Sequence, residues 1–253
     1  MATALLEIGH IEALFRYPVK SMAGERLEVA PLGWHGFEGD RRLAFRRLDD
    51  RSGFPWLSAG KLPDLVRFAP RRRAGSPEGD LPTHVCTPDG DELPLFGDEL
   101  AQEVGRRHGA PVQMMQLKHG IFDEASLSVI AQETVDEVGR LAGRSLEARQ
   151  FRPNVVVRLR RSAPFQEDAW VGGVLSFGEG DEAPAVAVTM RDLRCSMLNL
   201  DPETARSSPE VMKAVARVNQ NHAGVYAAVT RVGRLEVGQP IFLRPAIGRA
   251  ERG

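Results

Sequence analysis

Arg191-Asp192-Leu193-Arg194-Cys195-Ser196-Met197-Leu198-Asn199-Leu200-Asp201-Pro202-Glu203-Thr204 follows an alternating apolar run, Ala185 to Met190. The run reads as a strand of period two, and Asp201-Pro202 must leave the ladder because proline has no N–H to give it. Continued through the stretch, that period puts Cys195 near a strand end, with Leu193 and Met197 on its face and Arg194 and Ser196 on the other. A thiol so placed is a soft ligand or a nucleophile, or else plain packing, since free cysteine is among the most buried residue types.

Upstream, Ile8 to Tyr17, Leu27 to Pro31, Arg42 to Leu48, Leu65 to Ala69 and Thr83 to Thr87 read as strands separated by turn residues. Pro88-Asp89-Gly90 predicts a hairpin, and Asp98 to His108 a short helix stopped by Gly109. After a strand at Val112 to Leu117, Lys118-His119-Gly120 breaks the pattern. Leu127, Ile130, Ala131, Thr134, Val138 and Leu141 then recur at helical spacing, with Ser126 as N-cap and Gly143 as stop. Strands follow at 154–159, 174–177, 186–190, 225–231 and 240–243, and Ser208-Pro209 opens a second helix of this half. The pattern predicts a mainly β, α+β chain in two β-rich units with flanking helices, 1–118 and 119–253.

The 33 basic and 34 acidic residues nearly cancel, which argues against a nucleic-acid partner, because counterion release needs a concentrated basic face. Arg71-Arg72-Arg73, between Pro70 and the 74–80 run, reads as a solvated loop tip. Two cysteines, Cys86 and Cys195, provide neither a disulfide framework nor a multi-cysteine zinc or iron–sulfur site. The histidines show no paired ligand spacing. Met1 to Ile8 lacks a basic leader and is interrupted by Glu7, and no apolar stretch approaches a membrane span, so the expectation is a cytoplasmic protein without membrane association.

Arg194-Cys195 followed by Asp201-Pro202-Glu203-Thr204 resembles the MOSC family, the domain shared by molybdenum cofactor sulfurases and amidoxime-reducing molybdoenzymes. Phe151-Arg152-Pro153-Asn154 and Asp123-Glu124-Ala125-Ser126-Leu127 match in the same order. Tyr17-Pro18-Val19-Lys20-Ser21 and Gly39-Asp40-Arg41 look like the β-rich domain that precedes MOSC in that family. The resemblance implies an N-terminal MOSC-associated domain over 1–118 and a MOSC β-barrel over 119–253. It also implies a molybdenum–molybdopterin cofactor and an oxidoreductase that reduces N-hydroxylated or N-oxide small molecules. Electrons would come from an external flavin or iron–sulfur protein, since no ferredoxin-like cysteine set is present. The competing implication is a cofactor carrier or sulfurtransferase using the same Cys195.

On that resemblance Cys195 is the catalytic metal ligand, a thiolate being a suitable partner for a dithiolene-bound metal. Lys20, Ser21 and Arg41 are the phosphate site, and Arg152, Asn154 and Ser126 contacts to the pterin. Each has a plainer reading as well. Lys20 reads as a loop lysine, Arg41 as a surface strand residue, Asn154 as a turn cap and Ser126 as a helix cap. Cys86 reads as structural, and Glu167-Asp168 as solvated loop carboxylates.

Overall fold

The computed structural model describes residues 5–73, 75, 79 and 81–246. The first four residues and most of the 74–80 loop tip, both read above from sequence, lie outside the described residues. Seven strands close into a barrel. In order around it they are Val155–Leu159, Leu127–Ala131, His222–Arg231, Ala185–Leu193, Val174–Phe177, Pro240–Arg244 and Leu6–Arg16, which pairs back to Val155–Leu159. Only Leu127–Ala131 and Val155–Leu159 run parallel, and a parallel pair needs a crossover. Of the three α-helices among the described residues, α1 (Asp98–His108), α2 (Gln132–Ala142) and α3 (Pro209–Asn219), it is α2 that supplies it.

Closure depends on bending the long first strand. Its register slips between Glu7 and Gly9 and again between Ile11 and Ala13. A Cβ at Gly9 would lie 2.0 Å from the Arg158 carbonyl oxygen, so only glycine permits the approach. Inside the barrel pack Ile11, Val129, Val157, Leu175, Val186, Val225 and Ile241. Ile130 and Val156, one residue off that register, face outward and join Val135, Val138, Val211 and Val215 beneath α2 and α3.

This two-sided burial corrects the helix expected from Leu127 onward. Leu127–Ala131 is a strand, α2 starts only at Gln132, and Ser126 therefore caps nothing. A strand covered on both faces is apolar throughout, and over five residues it cannot be told from a buried helical turn by periodicity. Leu65 to Ala69 is likewise no strand. A proline-initiated 3-10 turn occupies Pro63–Arg67, followed by the short strand Ala69–Arg71. The helix at Asp98–His108, the Gly109 and Gly143 stops in left-handed conformation, and the hairpin at Pro88-Asp89-Gly90 are as the sequence predicts.

A second core, built on Leu43, Phe45, Phe68, Leu100 and Val104, fills the N-terminal half, and Leu200 from the C-terminal half packs into it. The sheets interlace across residue 118. Leu6–Arg16 is a barrel stave, and Gly233–Glu236 pairs with Val29–Gly33. Among the described residues no helix is long and apolar enough to cross a membrane.

Candidate functional site

The quoted stretch stops being a strand at Leu193. Cys195 then opens a 3-10 turn, Ser196–Asn199, whose Leu198 packs under α3 while Met197 leans on the N-terminal core. Period two fails from that point. Arg194, expected on the opposite face from Cys195, instead lines the same cavity, together with Leu193 and Met197.

That cavity has a volume of about 150 Å³ and is lined by Lys20, Ser21, Arg41, Arg152 and Cys195 among others. Five of the seven residues singled out from sequence thus converge from four separated segments. Cys195 is exposed, whereas Cys86 is half-buried in the hairpin strand His84–Cys86. Asn154 lies directly behind the cavity, fully buried. Its Oδ1 accepts from Arg41 Nη1 and from the Ser128 amide, both at 3.1 Å, and its Nδ2 donates to the Phe15 carbonyl at 3.2 Å. Ser126 does not reach the cavity; its carbonyl lies where a Cβ on Gly36 would be, 2.0 Å from that position.

The segments are pinned through backbone and buried carboxylate. Tyr17 N donates to Asp40 Oδ1 at 2.6 Å, Arg41 N to the Tyr17 carbonyl at 2.8 Å, and Lys20 N to the Leu43 carbonyl at 2.7 Å. Ser21, Arg41 and Arg152 each hold a left-handed backbone, with φ of 67°, 47° and 54°. Non-glycine residues rarely adopt that region unless the surroundings impose it, and three such residues lining one cavity indicate a preorganised site.

Arg41 is no surface residue. It is buried, its Nε and Nη1 lie 2.5 Å from Asp123 and Asp40, and Nη2 donates to the Arg152 carbonyl at 2.8 Å. Burial opposes its charge, but Asp40 and Asp123 outweigh burial, so its pKa is raised. Asp123 in turn is held below the usual carboxylate range, with Arg41 and then Lys20 overcoming the effect of burial.

Arg152 and Lys20 differ. Arg152 Nη1 donates to the Met22 carbonyl at 2.7 Å and the guanidinium stacks 4.2 Å from the Tyr17 ring centre; no carboxylate pairs with it among the described residues. Burial, with Arg41 adding repulsion, brings its pKa down to about 10. The Lys20 ammonium donates to the Phe122 carbonyl at 2.8 Å, also without a carboxylate partner among the described residues, and burial lowers its pKa. A half-buried cation that forms no direct ion pair is costly, and an anion in the cavity would relieve that cost.

Further polar residues of the lining, Ser128, Asp192 and Tyr226 among them, have no role in the sequence reading. Asp192 is buried, accepts from Ser128 Oγ at 3.1 Å, and pairs with Arg194; burial raises its pKa. Tyr226, opposite Ser128 in the barrel, also hydrogen-bonds to it. The one available signal is Asp192 itself, a carboxylate near the end of a strand whose first half, 185–188, is apolar. The carboxylate pair read as solvated is also different from expectation. Glu167 is fully buried, accepting from Thr134 Oγ1 at 2.9 Å, and burial raises its pKa to about 7. Among the described residues no three His, Cys, Asp or Glu side chains are grouped to hold a metal.

The MOSC domain family model matches residues 105–242. No curated protein matches the chain. Among solved structures it is similar to the YuaD protein of Bacillus subtilis, at 12% identity over 94% of this chain and 96% of that one, with a TM-score of 0.52. It is also similar to YiiM of Geobacillus stearothermophilus (21% identity, 47% and 54% covered, TM-score 0.37) and to a hypothetical protein (11%, 94% and 68%, TM-score 0.44). The likeness to YuaD is one of fold.

Proposed function

This chain belongs to the MOSC domain family, and from that premise we propose that its cavity binds a molybdenum–molybdopterin cofactor and that the protein is an oxidoreductase. The observation that carries the reading is the exposed thiol of Cys195 on the same cavity as two half-buried cations, Lys20 and Arg152, that form no carboxylate ion pair among the described residues. Such a donor set fits a group with one thiophilic metal and an anionic tail. A metal taking a single protein ligand needs no multi-residue cage. Cys195 would be that ligand, Lys20, Ser21 and Arg41 would hold the phosphate, and Arg152 the pterin. Asn154 acts one layer back, fixing the Arg41 guanidinium.

The cofactor, when bound, supplies two-electron oxygen-atom chemistry; the protein supplies binding, orientation and field. The substrates proposed are N-hydroxylated or N-oxide compounds. In the net reaction the N–O bond breaks, the nitrogen takes two electrons from a separate flavin or iron–sulfur protein, and two protons complete the amine and one water. The exposure of Cys195 also suits a second reading, a cofactor carrier or sulfurtransferase.

Expression in a cofactor-producing host, followed by molybdenum analysis and a benzamidoxime assay with a chemical electron donor, tests the choice. About one molybdenum per chain is expected by this reading, with turnover. Metal-loaded protein that never turns over but activates an apo-enzyme would overturn the oxidoreductase reading in favour of the carrier.

A further inference from the structure

Tyr17 does not line the cationic cavity, yet two of the cavity's guanidiniums lie over its ring, Arg152 at 4.2 Å from the ring centre and Arg41 at 4.9 Å. The side chain is 1% exposed, and its hydroxyl has no hydrogen-bond partner among the described residues. The ring is therefore fixed by packing and by the Tyr17 backbone bonds to Asp40 and Arg41, and not through its oxygen. Burial pushes the phenol's pKa up to about 12, which keeps it neutral. What it offers the two cations is the negative face of its π system.

The two arginines do not depend on that ring equally. Arg41 is clamped by Asp40 and Asp123 whatever the ring does. Arg152 forms no carboxylate ion pair among the described residues, and its guanidinium is held by the Met22 carbonyl, at 2.7 Å, and by the ring. The difference matters for an anion. A carboxylate would fix the Arg152 guanidinium but cancel its charge, whereas an aromatic face fixes it and leaves the charge for a ligand.

We propose that Tyr17 is a positioning residue, whose ring face orients the Arg152 guanidinium toward the cavity without neutralising it and so raises the cavity's affinity for oxyanions. That the natural anion belongs to the cofactor rests on the function proposed above; the ring's effect on anion binding does not. Gly24 is part of the same arrangement. A Cβ there would lie 2.4 Å from Tyr17 Cε1 and 2.6 Å from Cδ1, so a larger residue displaces the ring. Gly24 does not hold a left-handed backbone, so alanine would act through that contact and not through strain.

The test is calorimetric titration of the whole protein with inorganic phosphate, run as a double-mutant cycle on Tyr17 and Arg152. Tyr17→Leu should weaken phosphate binding about fivefold, the effect of one half-buried cation–π contact. In an Arg152→Met background the same change should cost less than about twofold, because the ring acts through that guanidinium. Tyr17→Phe keeps the face and should bind phosphate as the wild type does. Gly24→Ala, which retains Tyr17 and both arginines, should lose affinity several-fold and again only where Arg152 is present; it carries the test should the leucine variant not fold. A wild type that binds no phosphate, losses equal with and without Arg152, or a Tyr17→Phe variant as weak as Tyr17→Leu would each overturn the proposal. Molybdenum analysis reports separately on the cofactor. Its absence from a protein whose phosphate cycle shows the coupling would sink the cofactor reading and leave the role of Tyr17 standing.

Discussion

The cationic cavity and the neighbouring cleft lined by Glu124, Asp168, Arg191 and His222 share Asp123, Leu193 and Tyr226 and yet hold charge by different means. In the cavity Arg41 is buried, clamped by Asp40 and Asp123 and carried on a left-handed backbone, so neighbours set its charge. In the cleft Glu124 stands in water and Asp168 keeps one oxygen spare. Buried ions that answer each other stabilise the site when complete and cost heavily when one is removed, whereas exposed ions contribute little to folding and are screened by salt. The charges that matter to folding and those that do not therefore lie a few side chains apart.

The largest effect expected from this contrast is at Arg41. Arg41→Ala leaves Asp40 and Asp123 facing each other unpaired, and should lower unfolding free energy by about 3–5 kcal/mol in urea denaturation. A loss no larger than that of a surface residue would erase the distinction between the two regions.

Glu167, adjacent to Asp168 and behind the cleft, comes next. Burial raises its pKa to about 7, so the folded chain holds a proton that the unfolded chain releases near pH 4.5. Stability should therefore fall as pH rises through that window, by up to ~3 kcal/mol at 1.4 kcal/mol per unit. Glu167→Gln should flatten the profile, gaining on the wild type at pH 8 and not at pH 4.

Arg152 sharpens the comparison by separating stability from binding. Its guanidinium has no carboxylate partner among the described residues, so Arg152→Met should leave the apo-protein's melting temperature unchanged or raised. The same change should weaken phosphate or cofactor binding by about tenfold or more. A variant as destabilised as Arg41→Ala would place Arg152 in the structural set. The smallest effect is at Glu124. Glu124→Gln should leave stability within about 0.5 kcal/mol in urea denaturation at low and at high salt alike.

The sequence made the cavity more legible than the strands around it. Lys20, Ser21, Arg41, Arg152 and Cys195 stand out through the family resemblance of their short motifs, since their residue types alone also allow plainer readings, and all five meet in one place. Leu127–Ala131 was misread as helix because burial on both faces removes the alternation that marks a strand. Arg194 was misplaced because the period of Ala185–Leu193 was carried two residues past the strand's end. Glu167 looked solvated because its partner, Thr134, is 33 residues away and local sequence carries no sign of that hydrogen bond. Similarly, nothing near residue 6 announces that Leu6–Arg16 will close a barrel whose other staves begin at Leu127.

The most direct measurement is the molybdenum content of wild type, Cys195→Ala and Cys86→Ala purified side by side from a host that makes the cofactor. If the thiol on the cationic cavity is the ligand, Cys195→Ala loses molybdenum or changes its X-ray absorption signature, while Cys86→Ala matches the wild type. Equal metal content and identical spectra in all three proteins would contradict the account.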